Sequence, residues 1–140
     1  MTRGRKSDAV ARLFAAVYPP AAWVEAALGV VRGLDLPEHR ETPADQVHLT
    51  VQFIGQKREA EIPGVVTSIE RACAGIEAFE LTPSRVIGLP LTRPRVIAVE
   101  TDGPAPLLEL HRRLVTRLAR KPRKDAADRF VPHVTLARTK

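Results

Sequence analysis

Two short segments of the chain alternate between apolar and polar residues. The first has the sequence VHLTVQFI, in which Leu49, Val51 and Phe53 form the apolar set. A period of two residues is typical of a β-strand that buries one of its faces. The segment is therefore predicted to be a half-buried strand, and this strand is expected to end at Gly55.

The polar face of this strand carries His48 and Thr50, and the same pattern returns near the end of the chain. The closing segment, Phe130–Arg138, contains His133 and Thr135 with aliphatic residues between and after them. The two matching runs are His48-Leu-Thr-Val and His133-Val-Thr-Leu. Each predicted strand therefore presents an imidazole and a hydroxyl on one face.

Other apolar segments predict three further strands and three helices. The strands are Arg12–Tyr18, which is predicted to be buried, Phe79–Leu89 and Val96–Glu100. The predicted buried faces of the helices are Trp23, Ala26, Ala27, Val30 and Leu34; Val65, Val66, Ile69, Ala72, Cys73 and Ile76; and Leu107, Leu110, Leu114 and Leu118. A polar loop is predicted over Glu38–Asp45.

The order of these elements repeats, since each half of the chain has a strand, a helix and then a His-x-Thr strand. A duplication of this kind predicts two similar lobes related by a pseudo-two-fold axis. The equivalent strands are expected to face each other across a cleft in which His48 and His133 meet. With 140 residues, the chain is predicted to be a single two-lobed domain over 1–140, with a flexible basic tail at 1–10.

Composition narrows the kinds of partner that the chain can have. The formal net charge of +6 favours an anionic partner. A basic stretch contains Arg112, Arg113, Arg117, Arg120, Lys121, Arg123 and Lys124. Aromatic residues are only 4% of the chain, which favours a site for one or two nucleotides over a module that stacks many bases. Without a membrane-spanning run or a signal peptide, the protein is expected to be soluble and cytoplasmic.

The cysteine and histidine content limits the kinds of site. Cys73 is the only cysteine, which excludes an internal disulfide and a cysteine zinc site, and its helical neighbours predict a buried thiol. No Cys, Asp or Glu stands at a ligand-like spacing from His48 or His133, so no metal site is predicted. His39 in the polar loop and His111 beside the leucine stripe are assigned surface or structural roles.

The two His-x-Thr strands carry groups that suit chemistry at phosphorus. Histidine has a reference pKa of about 6.5, so of two equivalent imidazoles one can be neutral and the other protonated at around pH 7. A general base and a general acid require those two states. The hydroxyls of Thr50 and Thr135 could donate to the non-bridging oxygens of a phosphate held between the strands.

With these motifs the chain resembles the two-histidine phosphoesterase superfamily and, within it, the bacterial RNA 2',3'-cyclic phosphodiesterases, also called 2'-5' RNA ligases. The resemblance extends over nearly the whole chain. The motifs that carry it are Arg12-Leu-Phe-Ala-Ala-Val, His48-Leu-Thr-Val-Gln-Phe-Ile-Gly, Arg93-Pro-Arg-Val, Leu107-Leu-Glu-Leu-His and Phe130-Val-Pro-His-Val-Thr-Leu-Ala-Arg. It implies an α+β fold of two pseudo-symmetric lobes, each a mostly antiparallel sheet with helices on the outside, and an active groove between the lobes.

The resemblance also implies roles for individual residues. His48 and His133 would be the catalytic pair, with His48 protonating the leaving 3'-oxygen and His133 acting as the base. The symmetry of the two motifs leaves that order open. Thr50, Thr135 and Arg138 would bind the substrate phosphate. Strict alternation places Arg138 on the face opposite His133, so its role requires a bulge or a strand end.

The implied activity is hydrolysis of a terminal 2',3'-cyclic phosphate on RNA to a 2'-phosphate, with reversible 2'-5' ligation at the same site and without metal or organic cofactor. The expected partner is RNA with such an end, tRNA fragments included, and a monomer without an obligate protein partner is expected. Phe14 would contact the substrate base, with core packing as the alternative. Two other functions stay open: a phosphodiesterase for small cyclic nucleotides or ADP-ribose cyclic phosphate, and an RNA-binding protein without catalysis.

Overall fold

The computed structural model describes residues 9–118 and 130–140, and these form six strands and three α-helices, with two short 3₁₀ turns between them. In chain order the elements are β1 Val10–Val17, α1 Ala21–Arg32, β2 His39–Glu41, β3 Leu49–Arg58, α2 Ile62–Cys73, β4 Pro83–Leu89, β5 Val96–Thr101, α3 Ala105–Leu118 and β6 His133–Thr139. None of the helices in the described ranges has the length and apolar composition needed to cross a membrane. Most of the predicted basic tail, and the basic residues predicted after Arg117, lie outside the described residues.

The strand pairing confirms the predicted α+β class. Strands β2, β3 and β5 each pair antiparallel with β6, and β4 pairs antiparallel with β5. By its internal contacts the chain divides into two compact units. The first contains Met1–Ala16, Val51–Phe79 and Pro104–Arg129, and the second contains Val17–Thr50, Glu80–Gly103 and Phe130–Lys140. The single domain over residues 1–140 stays a prediction.

The first unit has its core along the helices α2 and α3, which pack against each other. The buried residues of α3 are Leu107, Leu110 and Leu114, as predicted, and α2 contributes Val65 and Ala72. On each helix these positions are separated by whole turns, which is the spacing of one helical face. The apolar periodicity of α3 therefore predicted three of its four positions correctly, while Leu118 is only half-buried.

The predicted burial of the first strand is wrong. In β1 only Ala15 is buried, while Val10 and Phe14 are 61% and 43% exposed. Among the described strands, β1 has one neighbour, β3. A strand with a neighbour on one side only has cross-strand side-chain partners on that side only. An apolar segment is therefore not enough to predict a buried strand.

The alternation predicted for β3 holds up to Val51 and then breaks. Phe53 is 73% exposed and Ile54 is buried, the reverse of the prediction. Phe53 packs on Phe14 instead, with ring centroids 6.3 Å apart. Gly55 has a φ of 91°, which a residue without Cβ adopts at little cost, and β3 continues through it for three more residues. The predicted end of the strand at Gly55 is therefore wrong, since Gly55 lies within β3.

Cys73 is exposed, which corrects its predicted burial. It is the last residue of α2 and follows the buried Ala72 directly. Successive residues on an α-helix are rotated by about 100°, so the thiol leaves the face that Ala72 buries. Val66, which directly follows the buried Val65, is likewise 47% exposed.

The second unit places α1 against β6. The buried residues of α1 are Val24, Ala27, Leu28 and Val31. This buried face is displaced from the predicted stripe, in which Val30 and Leu34 are 52% and 41% exposed. Trp23 lies at the margin of this face and donates a hydrogen bond from Nε1 to the Leu81 carbonyl at 3.0 Å. A large ring with one polar atom favours such a boundary position over the centre of a core.

Strand β2 lies inside the segment that was predicted to be a polar loop, which corrects that prediction. Its register on β6 is His39↔Thr139, Arg40↔Arg138 and Glu41↔Ala137. The strand has three residues, and backbone pairing rather than an apolar face holds it in place. Hydrophobic periodicity therefore gave no signal for it.

Arg113 of α3 binds the end of α2. Its Nη1 donates to the carbonyl oxygens of Ala72 and Ala74 at 3.0 and 2.7 Å, and its Nε donates to Glu109 at 2.7 Å. Hydrogen bonds from Arg112 and from Arg113 lower the pKa of Glu109 to about 2, so this carboxylate stays ionised and keeps Arg113 in position. Arg113 thereby satisfies carbonyls that the last turn of a helix leaves without an intrahelical donor.

We predict that Arg113→Met lowers the free energy of unfolding by about 1–3 kcal/mol, because two backbone acceptors lose a charged donor. Urea denaturation measures this loss. Arg112→Met is the matched control, since Arg112 binds the same Glu109 but its side chain donates to no backbone carbonyl among the described residues, and it should leave the urea midpoint nearly unchanged. Equal losses in the two variants would contradict the proposed role of the backbone contacts.

Candidate active site

The two His-x-Thr motifs are brought together by one antiparallel strand pair. Leu49 of β3 and Val134 of β6 are partners in that pair. In antiparallel pairing, the residue before one partner lies opposite the residue after the other. The register therefore places His48 opposite Thr135, and Thr50 opposite His133.

A local two-fold axis passes between the paired backbones and relates each motif to the other. Opposite residues on one face of an antiparallel pair have Cβ atoms about 4.5–5.5 Å apart, and diagonal neighbours are about 7–8 Å apart. His48 and His133 are such diagonal neighbours, and Thr50 and Thr135 occupy the other two corners. The two histidines therefore share one sheet face as diagonal neighbours, and the strands that carry them pair directly instead of facing each other across a cleft.

The opposite face of the same strand pair is fully buried. Leu49 and Val134 have no exposed surface, and Val51 and Leu136 are also in the core. Burying an aliphatic side chain completely contributes about 1.5–3 kcal/mol. A register shift by one residue would expose all of these side chains and bury the imidazoles instead. The core residues that alternate with the motif residues therefore fix which face the histidines and threonines occupy.

The two histidines have equivalent hydrogen bonds at Nδ1. His48 Nδ1 lies 2.6 Å from the Gln46 carbonyl oxygen, and His133 Nδ1 lies 2.8 Å from the Val131 carbonyl oxygen. A carbonyl oxygen accepts hydrogen bonds and does not donate them, so each Nδ1 must carry the hydrogen. In the neutral ring the lone pair is then on Nε2, and in the protonated ring Nε2 carries the second hydrogen. Nε2 is therefore the atom that can take up or give a proton on either histidine.

This contact does not by itself identify a functional histidine. His39 Nδ1 lies 2.8 Å from the Pro37 carbonyl oxygen in the same two-residue pattern. His111 Nδ1 lies 2.7 Å from the Val51 carbonyl oxygen and connects α3 to β3. What distinguishes His48 and His133 is their shared sheet face and the threonines beside them.

The threonine side chains of the motifs are half-buried on that same face. The hydroxyls of Thr67, Thr101, Thr116 and Thr139 each donate to a backbone carbonyl. In the part of the chain that the structure describes, the hydroxyls of Thr50 and Thr135 have no such partner. Two donors are thus available on the face that carries the imidazoles.

Arg138 reaches the imidazole face because β6 contains a bulge. Across β5 and β6, Ile97 pairs with Ala137 but the next residue, Ala98, pairs with Thr135, so Leu136 is an extra residue on β6. Leu136 and Ala137 are both buried, which breaks the alternation. An extra residue moves the following side chain to the other face. The bulge that the phosphate-binding role of Arg138 requires is therefore present in the strand.

A cavity of about 320 Å³ lies over part of this face. Arg40, Gln46, His48, Thr135 and Arg138 are among the residues that line it. The lining of this cavity does not include the other two motif residues, which the register places on the same face. Three predicted site residues thus share the cavity with five residues that were not predicted to belong to the site: Arg40, Glu41, Thr42, Pro43 and Gln46.

Other neighbours of the motifs were also missed by the sequence analysis. Tyr18 is 63% exposed, and its ring centroid lies 5.6 Å from that of His48. Glu100 pairs with His133 across β5 and β6, and its carboxylate is bound by Arg85 at 3.3 Å. Glu100 has no local signal in the sequence, because only strand pairing brings it to the site. A tyrosine before two prolines at a strand end was the one available hint for Tyr18.

Phe14, the predicted base-contacting residue, belongs to the first unit, where it packs on Phe53. Its ring is 43% exposed, and contact with a base stays a prediction. A search of the described residues finds no group of three or more His, Cys, Asp or Glu side chains arranged to hold a metal ion.

We predict that neutral His48 and His133 are both in the Nδ1–H tautomer, because each Nδ1 faces a backbone carbonyl. Long-range ¹⁵N–¹H spectra of the imidazoles, recorded above the pH at which histidines protonate, measure the tautomer directly. The variants His48→Gln and His133→Gln assign the signals. Observation of the Nε2–H form at either position would contradict the geometry.

Comparison with known proteins bears on this site. The family model described as the 2'-5' RNA ligase superfamily matches residues 18–140. TT0787 of Thermus thermophilus is 28% identical over 92% of this chain and 74% of its own, with a TM-score of 0.67. E. coli LigT complexed with 3'-AMP is 27% identical over 93% of this chain and 73% of its own, with a TM-score of 0.71.

Another structure, described as a phosphoesterase, is 28% identical over 91% of this chain and 72% of its own, with a TM-score of 0.70. A search of curated proteins found no match. The family match includes both His-x-Thr motifs and Arg138. By these matches the chain is a phosphoesterase and belongs to the 2'-5' RNA ligase superfamily.

Proposed function

We propose that the protein hydrolyses a terminal 2',3'-cyclic phosphate on RNA to a 2'-phosphate, with His48 and His133 as the acid-base pair and without a metal ion. The observation that carries the proposal is the register of the two motifs, from which two imidazoles and two hydroxyls share one face of a strand pair. Displacement at phosphorus needs a base on one side and an acid on the other.

In the proposed reaction, the neutral His133 takes a proton from water through Nε2 as the water oxygen attacks the phosphorus. The bond between phosphorus and the 3'-oxygen breaks, and protonated His48 gives its Nε2 proton to that oxygen. The products are a 2'-phosphate and a 3'-hydroxyl, and each histidine ends in the protonation state in which the other began. Holding both groups and the substrate in place removes much of the entropic cost of this step.

Thr50, Thr135 and Arg138 would bind the non-bridging oxygens of the phosphate. Donors that are already oriented stabilise the charge that develops in the transition state, and one such donor is worth about 2.7–4 kcal/mol. Among the described residues the two hydroxyls have no competing partner, and the bulge directs Arg138 to the same face. If an RNA 5'-hydroxyl attacks in place of water, the same groups form a 2'-5' linkage.

The related structures support a phosphate- and nucleotide-binding site. LigT, which shares the fold at 26–27% identity, has been crystallised with phosphate and with 3'-AMP. By similarity, RNA ends are the proposed substrate class for this chain. The net charge of +6 is consistent with an anionic substrate of that kind.

The first prediction from this mechanism concerns turnover of a short RNA ending in a 2',3'-cyclic phosphate, assayed in EDTA. We expect wild type to form a 2'-phosphate, and His48→Ala and His133→Ala each to lower kcat by about 10²–10⁴-fold, because each removes a proton-transfer group. Product position is determined by ³¹P NMR.

His39→Ala is the matched control, since His39 has the same Nδ1 contact but lies outside the motifs, and it should retain wild-type turnover. Formation of a 3'-phosphate would reverse the assignment of the leaving oxygen. Turnover of adenosine 2',3'-cyclic phosphate but not of RNA would support a small cyclic nucleotide as the substrate. Binding of RNA without turnover of any cyclic phosphate would support the non-catalytic alternative.

The second prediction concerns pH. The rate should rise and then fall as pH increases, because turnover requires one neutral and one protonated imidazole at the same time. The measurement is kcat/KM across the pH range of histidine titration in EDTA, with circular dichroism at each pH to show that the protein stays folded. A rate that does not vary over that range, or a loss of activity in EDTA, would contradict the two-histidine mechanism.

A further inference from the structure

Arg40 and Arg138 lie directly opposite each other in the antiparallel pair of β2 and β6. Opposite residues in such a pair point to the same face, with Cβ atoms about 4.5–5.5 Å apart, and like charges placed there repel each other. Both side chains are exposed, and both line the same cavity. Within residues 9–118 and 130–140, neither guanidinium has an ion-pair partner.

The carboxylates nearest to these arginines in the chain are bound by other cations. Glu41 borders the cavity, but its carboxylate accepts two hydrogen bonds from Arg32, at 2.7 and 2.9 Å. That hydrogen bonding lowers the pKa of Glu41 and keeps it paired with Arg32. Glu38 is bound by Lys140 at 3.2 Å. Arg40 and Arg138 thus place two positive charges at one cavity, and neither is paired with these carboxylates. Such an arrangement favours an anionic ligand there.

The cavity is also larger than a single phosphate requires. Its volume of about 320 Å³ falls within the range of pockets that hold small organic ligands. In the proposed function, Arg138 and Thr135 bind the reacting phosphate next to His48. Arg40 extends the positive surface from β6 onto β2, beyond the groups that the reacting phosphate uses. A second anionic group of the same substrate can be bound there.

We propose that Arg40 is a specificity-determining residue that binds a second phosphate of the substrate, the one on the 5' side of the terminal nucleotide. The protein then prefers cyclic-phosphate ends that carry this second phosphate over nucleoside 2',3'-cyclic phosphates, which carry only one. This inference rests on the proposed function, since it assigns the first phosphate to the histidine site.

The test compares kcat/KM for adenosine 2',3'-cyclic phosphate and for its 5'-phosphorylated form. Wild type should favour the 5'-phosphorylated substrate by about tenfold or more, because the contact joins two opposite charges. Arg40→Gln should abolish this preference and leave the rate on the substrate with one phosphate within about twofold of wild type. Arg138→Gln should lower both rates together. Arg71→Gln, which removes an exposed positive charge from α2, should leave the preference intact.

If Arg40 had a structural role, Arg40→Gln would lower the Tm. In the proposed role the substitution removes a repulsion between like charges, so the Tm of the variant should equal or exceed that of wild type. A lowered Tm with equal losses on both substrates would overturn the proposal, and so would a preference for the 5'-phosphate that persists in Arg40→Gln.

Binding measurements separate failure of this inference from failure of the proposed function. Isothermal titration calorimetry compares adenosine 2'-phosphate with adenosine 2',5'-bisphosphate, neither of which needs to react. Wild type should bind the bisphosphate more tightly, and Arg40→Gln should bind the two equally. If wild type hydrolyses no cyclic phosphate, the proposed function fails, but this binding difference still supports or overturns the Arg40 site. Equal binding of the two ligands by wild type would overturn it.

Discussion

The pairing of Leu49 with Val134 is the contact on which the rest of the site depends. Both side chains are fully buried, and their burial holds β3 and β6 in one register. Because side chains alternate along a strand, that register also decides what the exposed face carries. The face that the two His-x-Thr motifs share therefore depends on two aliphatic residues that do not themselves lie on it. In this strand pair, the burial that stabilises the fold also fixes the geometry of the site.

The sequence predicted the components of this face but not their arrangement. Period-two alternation placed His48 with Thr50, and His133 with Thr135, because strand geometry alone determines which neighbours share a face. It did not show that each histidine would stand opposite the threonine of the other strand. That relation depends on which residues pair across 85 positions of sequence, and no local pattern encodes it.

Arg138 and Arg40 show where local patterns mislead. Strict alternation puts Arg138 on the wrong face, and only a bulge opposite β5 moves it to the imidazole face. Arg40 lies in a strand of three polar residues, formed by backbone pairing, so hydrophobic periodicity did not predict it. The helices were easier to predict, although the buried face of α1 is displaced from its predicted stripe. Tertiary contacts decided each of these cases.

The Nδ1 contacts of the two histidines have a consequence for how the site tolerates mutation. In many enzymes a carboxylate side chain orients the imidazole, and a single substitution can remove that carboxylate. Here the acceptors are the backbone carbonyls of Gln46 and Val131, which every amino acid at those positions supplies. Sequence drift around the motifs can therefore change the side chains without disturbing the orientation of the rings. Such a site can persist among distant relatives that share little beyond the motifs themselves.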